Sequence, residues 1–213
     1  RRQPRSTLFP YTTLFRSDRL PNQEVRDITD AFHPLLLNER IASIAHGSEH
    51  SIALSTEGKL FSWGGNDFGQ LGVNSTNVLW DKMNQVLLGY KVNKVVAGAN
   101  FNLYMAGSAL YSFGENTYGQ LGNNDYNLAN KLAPVRIDSQ FGLKSGEIIK
   151  DVDAGLNHAI AYTSQNRVFT WGAGYFGALG DGYTSSYQQP IDITANLALA
   201  LEESLVKVVA GAN

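Results

Sequence analysis

Ile44 to Gly72 reads IAHGSEHSIALSTEGKLFSWGGNDFGQLG, and the chain says nearly the same thing twice more. Val96 to Gly122 reads VAGANFNLYMAGSALYSFGENTYGQLG, and Val152 to Gly180 reads VDAGLNHAIAYTSQNRVFTWGAGYFGALG. Each copy opens with a β-branched or alanine-rich run that ends in glycine, at Gly47, Gly98 and Gly155. Fifteen or sixteen residues later comes an aromatic residue followed by glycine, at Trp63-Gly64, Phe113-Gly114 and Trp171-Gly172. A G-x-L-G turn closes the unit, its glycines being Gly69 and Gly72, Gly119 and Gly122, and Gly177 and Gly180. A fourth opening, KVVAGAN with Gly211, repeats Lys94 to Asn100. The opening glycines lie 51, 57 and 56 residues apart. A period near fifty marks a repeat architecture, in which each unit must stack on its neighbours to bury its faces.

Alternation inside each copy identifies the units as β. His50, Ile52 and Leu54 share one face of a strand and Ser51 and Ala53 the other, and Phe61 and Trp63 share a face beyond the turn at Thr56 to Gly58. The same two strands recur around Phe101, Leu103 and Met105, and around His158, Ile160 and Tyr162. The run before each opening glycine adds a third strand. Val135 to Ile137 and Ile191 to Ile193 supply a fourth, with Pro134 and Pro190 expected at the strand's first position, where a missing N–H is tolerated. Four short strands per unit predict an all-β protein: a β-propeller of four-stranded antiparallel blades, here an incomplete arc of about three. Trp63, Phe113 and Trp171 should then occupy equivalent buried positions.

These motifs closely resemble the repeat of the regulator of chromosome condensation family, over Ile41 to Asn213. WD-repeat propellers fit less well, having a shorter period and a Trp-Asp ending. The resemblance divides the chain into residues 41–91, 92–148 and 149–206 as three repeats, with 207–213 starting a fourth and 18–40 as the tail of a preceding blade. Leu8 to Ser17, LFPYTTLFRS, reads as the in-frame translation of a sequencing-library adapter, so residues 1–17 are expected to stay outside the fold.

Charge narrows the choice of partners. The chain carries 17 Lys and Arg against 19 Asp and Glu. Residues 1–17 hold Arg1, Arg2, Arg5 and Arg16 and no acid, so the remainder is distinctly acidic and offers no basic cluster for nucleic acid. No stretch approaches the roughly 18 apolar residues of a membrane span. The absence of cysteine fits a reducing compartment, cytoplasmic or nuclear.

Several stretches imitate chemistry. Gly172, Gly174 and Gly177 spell G-x-G-x-x-G after a strand, but the following ALGDG is no helix to face a pyrophosphate. His46 and His50 flank Glu49 like a metal motif, yet they lie in a turn and a strand, and Phe101 stands where His50 does. No cofactor, metal or catalytic residue is expected. Phe68, Tyr118 and Phe176 precede the closing turns and are expected to pin them against the next blade. The copies differ most between closing and opening glycines, with 25, 32 and 30 intervening residues.

The resemblance implies a non-enzymatic protein-interaction scaffold with a regulatory role and a protein partner. The alternative is guanine nucleotide exchange on a Ran-like small GTPase, the activity of the founding member, associated there with an acid on a face loop and a protruding wedge. Asp67 and, less closely, Glu115 are the acids standing where such a partner contact would fall. No insertion of wedge length is evident, and the G-W-R-H runs of the plant ultraviolet photoreceptor subgroup have no counterpart at Gly47, Gly98 or Gly155.

Overall fold

A computed structural model describes residues 39–77, 82–197 and 203–212. Residues 1–38 lie outside these, and with them the adapter-like stretch and nearly all of the expected preceding blade. The described residues form three four-stranded antiparallel sheets, each in simple sequential order. The first holds β1 (Ile41–His46), β2 (His50–Ser55), β3 (Leu60–Gly64) and β4 (Asn84–Val86). The second holds β5 (Lys94–Ala97), β6 (Phe101–Ala106), β7 (Ala109–Gly114) and β8 (Lys131–Arg136), and the third β9 (Ile149–Ala154), β10 (His158–Thr163), β11 (Val168–Gly172) and β12 (Tyr187–Asp192).

Pro134 and Pro190 sit inside β8 and β12 rather than at their first residues. Both are outermost strands, and both shift register beside the proline, between the pairs Ser112↔Val135 and Gly114↔Lys131 and between Thr170↔Ile191 and Gly172↔Tyr187. An edge strand with a bulge can spare the N–H that proline lacks.

Two of the cores lie between sheets, because each strand sends alternate side chains to opposite neighbours. Ile52, Leu54 and Leu60 meet Val95, Tyr104 and Phe113 between the first and second sheets. Phe101, Leu103 and Met105 point the other way, onto Val152, Phe169 and Trp171 of the third.

Three kinds of contact lock neighbouring sheets together. Near the axis, the residue after each opening glycine donates its N–H to the equivalent carbonyl of the next unit: Ser48 to Ala99 (2.8 Å), Ala99 to Leu156 (2.8 Å) and Leu156 to Ala212 (3.1 Å). Lys207 to Ala212 form no strand, but their backbone thus takes the place of a fourth opening.

The second contact sets each closing glycine against the aromatic of the next sheet. A Cβ on Gly72 would fall 2.7 Å from the Phe113 ring, and one on Gly122 would fall 2.7 Å from the Trp171 indole. Both glycines also have positive φ, 69° and 65°. Phe113 and Trp171 are fully buried by this contact. Trp63, expected to match them, is half-buried, since among the described residues no earlier sheet exists to supply its glycine.

The third contact satisfies the carbonyl before each closing Leu. Trp171 Nε1 donates to the Gln120 carbonyl (3.0 Å). Phe113 has no N–H to offer Gln70, and there Asn102 Nδ2 donates instead (2.8 Å). Position 159, which corresponds to Asn102, is alanine in the sheet that has the Trp. Asn102 Oδ1 in turn receives His50 Nε2–H (2.9 Å), so His50 Nδ1 is the unprotonated nitrogen, and it is buried with no hydrogen-bond partner among the described residues.

Two outcomes are expected from these contacts. Gly122→Ala adds a clash to the backbone strain of positive φ and should cost about 2–4 kcal/mol in urea unfolding. Gly107→Ala, with φ 61° and nothing near its Cβ, should cost about 1–2 kcal/mol, the strain alone. Desolvation pushes His50 down from 6.5 to about 4, the bond to Asn102 opposing and the charge of His46 adding to it. Because its folded value is depressed, the stability it contributes is full above pH 6.5 and is lost as pH falls through about 4, by at most about 3 kcal/mol. His50→Phe, copying Phe101, should lower stability at neutral pH and flatten thermal melts across that window.

Candidate functional site

Strand direction places every closing turn on one face of the arc. β1 and β3 end there and β2 and β4 begin there, and the same holds for the other sheets. The described loop residues 65–77, 82–83, 115–130 and 173–186 therefore share this turn face with the short connections after the opening glycines.

Two side chains build the first two turns. Asn66 Oδ1 accepts from the Leu71 N–H (2.9 Å) and Gln70 Oε1 from the Phe68 N–H (2.9 Å). Asn116 and Gln120 repeat this with Leu121 (3.2 Å) and Tyr118 (2.8 Å). Each turn then leans on the outer strand of the next sheet, where Asn74 N–H donates to Leu132 O (2.8 Å) and Asn124 N–H to Gln188 O (2.9 Å). These locks were readable as the repeated N-x-x-x-Q spacing, which the sequence analysis passed over.

The third turn has Gly174 and Ala178 at those positions and so lacks both locks. Its chain winds into a 3-10 turn at Tyr175–Gly177, with Phe176 at φ 58° and 92% exposed. Phe176 has no next sheet to lean on among the described residues and stands in solvent, while Phe68 and Tyr118, which each face a next sheet, are half-buried. This turn lies inside the G-x-G-x-x-G stretch, and the next element after it is the strand β12 rather than a helix.

The two acids singled out from sequence fall on turns of adjacent sheets. Asp67 is exposed on the first, at the position of Thr117 and Tyr175. Glu115 aligns with Gly65 and Ala173 and is half-buried; its Oε2 accepts from Asn100 Nδ2 (3.0 Å) and its Oε1 from Thr117 Oγ1 (2.8 Å). At the seam of the second and third sheets, Tyr118 meets Tyr175 edge-on, with ring centroids 5.5 Å apart at 84°. Tyr175 is 53% exposed.

The two histidines of the metal-like motif are separated in role. His46 Nδ1 bonds Ser51 Oγ (2.9 Å), while His50 faces the second sheet. No group of three or more His, Cys, Asp or Glu suited to a metal occurs among the described residues, and no helix there is long and apolar enough to cross a membrane.

The far end of each outer sheet carries a carboxylate that sequence analysis missed. Glu39 accepts from Ser55 Oγ (2.5 Å) and Lys59 Nζ (2.7 Å). Glu147 does the same with Thr163 Oγ1 and Arg167 Nη1 (3.0 Å). Each Glu stands two residues before the first strand's isoleucine and sixteen before its hydroxyl partner. The middle sheet has Tyr90 and Ala106 instead.

Comparison with known proteins agrees with this architecture. Models of the regulator of chromosome condensation (RCC1) repeat match residues 41–70 and 149–178 and, in a second form, 57–105, 108–162 and 165–213. The second set runs from β3 of one sheet through β6 of the next and onward in the same phase, so matched repeat and sheet are offset by two strands. Human Protein RCC2 is 35% identical over 167 residues, covering 68% of this chain and 32% of that protein. Human E3 ubiquitin-protein ligase HERC2 is 31% identical over 158 residues, 73% of this chain and 3% of that protein. The crystal structure of Prp20p from Saccharomyces cerevisiae, described together with its binding properties to Gsp1p and histones, superimposes with a TM-score of 0.61 at 26% identity, covering 72% of this chain and 38% of that one. The chain thus spans about a third of the length of Protein RCC2. With repeat models matched along most of its length and three sheets built to the same plan, the chain belongs to the regulator of chromosome condensation (RCC1) repeat family.

Proposed function

We propose that this chain serves a non-enzymatic scaffold with a regulatory role, acting in the cytoplasm or nucleus and holding a protein partner on its turn face. The observation that carries this reading is the division of labour within each sheet. Opening glycines, aromatics and closing glycines repeat, while the loops between them diverge in length, locks and exposed side chains. A rigid frame that displays variable loops suits recognition of another protein. Asp67 and Glu115 are the acids we assign to partner contact.

The likeness to Prp20p, described with binding to Gsp1p, favours one second reading, exchange on a small GTPase. An exchanger stabilises the nucleotide-free GTPase over the nucleotide-bound form. The described turns hold no projecting wedge comparable to a β-hairpin insertion: the first two close within the same short G-x-L-G frame, and the third departs from it by a single 3-10 turn.

A fluorescent-nucleotide release assay across several small GTPases, using the full-length protein, separates the two. Release is expected to be unchanged, while capture of a binding partner is lost when the loops at 65–77 and 115–130 are replaced by Gly-Ser linkers. Acceleration by orders of magnitude with any GTPase, diminished by Asp67→Ala, would establish exchange instead.

A further inference from the structure

The turn-face reading leaves open what kind of surface the partner presents, and the seam between the second and third sheets bears on that. Tyr118 and Tyr175 come from different sheets and are held edge to face at 5.5 Å, with Tyr175 half out of the molecule. The seam is fixed from both sides. Gln120 Oε1 and Asn116 Oδ1 hold the Tyr118 turn, and Asn124 N–H bonds the Gln188 carbonyl across the sheets. Tyr118 therefore stands on a rigid base, and Tyr175 meets it from a turn that lacks those locks.

The charge around this aromatic pair is one-sided. Glu115 lies in the same turn as Tyr118, and each of its oxygens accepts one hydrogen bond, from Asn100 and from Thr117. A carboxylate oxygen can accept two, so Glu115 is held in place with capacity to spare. Asp67 and Asp181 are further acids of the turn-face loops, and Asp125 is already paired with Lys131 (2.8 Å). Within the described part of the three loops the one basic residue is Lys82, and Lys131, the partner of Asp125, opens β8. The opposite face is mixed in sign, with the ion pairs Lys59–Glu39, Lys91–Glu57 and Arg167–Glu147.

A half-exposed phenol ring packed edge-on against a second, with a fixed carboxylate in the second ring's own turn, suits a cation. The ring face attracts an ammonium or guanidinium, the carboxylate pairs with it, and the long aliphatic stem of Lys or Arg covers apolar surface. We propose that the seam formed by Tyr118, Tyr175 and Glu115 docks a basic segment of a partner protein, seating one Lys or Arg side chain against the tyrosine pair and onto Glu115. This rests on the turn face being the protein-binding face and adds the chemistry of its occupant.

Fluorescence anisotropy on the full chain tests it. The probes are short fluorescein-labelled peptides in which Gly alternates with Lys, with Arg or with Glu. The Lys and Arg peptides are expected to bind and the Glu peptide not to, with affinity falling as salt is raised. Glu115→Gln and Tyr175→Ser should each weaken binding roughly 3–10-fold. Glu49→Gln, an exposed acid of the same face on another sheet, and Leu87→Ser on the opposite face should leave it unchanged. Circular dichroism melts confirm that each variant is folded, and Tyr175→Phe, which keeps the ring, should bind like the parent.

No binding of either basic peptide overturns the proposal. So does an equal loss with Glu49→Gln and Glu115→Gln, which would mean diffuse attraction to an acidic face rather than a seat at the seam. If loop replacement abolishes partner capture while basic peptides fail to bind, this inference falls and the turn-face reading stands. If basic peptides bind at the seam but partner capture survives loop replacement, it is the turn-face reading that falls.

Discussion

The arrangement depends on a ring laid against a glycine. Phe113 reaches Gly72 and Trp171 reaches Gly122 so closely that no Cβ fits between them. That contact fixes how far apart neighbouring sheets stand and how they are rotated. The cores between sheets, from Leu54 to Phe113 and from Leu103 to Trp171, fill the space this spacing leaves. Tight packing of this kind responds to the addition of even one methyl group. The glycines are therefore a sequence signature because the neighbour's aromatic leaves room for nothing else.

The polar contacts are adjusted copy by copy around that fixed spacing. The carbonyl of Gln70 and that of Gln120 each receive a donor from the next sheet, once from Asn102 and once from the Trp171 indole. A buried carbonyl without a donor would cost about 1–3 kcal/mol, which explains why losing the indole at Phe113 is accompanied by gaining an amide at Asn102. The turn face follows the same logic in reverse. Where Asn and Gln are lost, at Gly174 and Ala178, the turn rearranges and Phe176 moves into solvent.

Legibility in the sequence followed the physics. Spacing, glycines and strand alternation were readable because they recur, and recurrence separates a structural demand from chance. Pro134 and Pro190 were placed on the right strands but at the wrong positions, since a bulge is a property of pairing with β7 and β11 that one strand's sequence does not carry. The altered conformation at Phe176 was not readable by alignment with Phe68 and Tyr118, since Gly174 and Ala178, two positions away on either side, replace the Asn and Gln that hold the other turns. The Trp-for-Asn exchange was out of reach, since position 102 lies eleven residues from position 113 and only folding shows that both serve one carbonyl. Tyr118 was visible singly, but Tyr175 becomes its neighbour only when two sheets meet.

The axial relay from Ser48 through Ala99 and Leu156 to Ala212 uses main-chain atoms alone. Any unit can therefore follow any other as far as this inner belt is concerned, and a gene could gain or lose whole units without rewriting it. The outer contacts are less permissive. A unit bearing phenylalanine must bring its own amide, and one bearing tryptophan must not crowd the indole with a second donor. Duplication is thus free at the hub and conditional further out, so new copies would diverge first at the side chains that face their newly acquired neighbour.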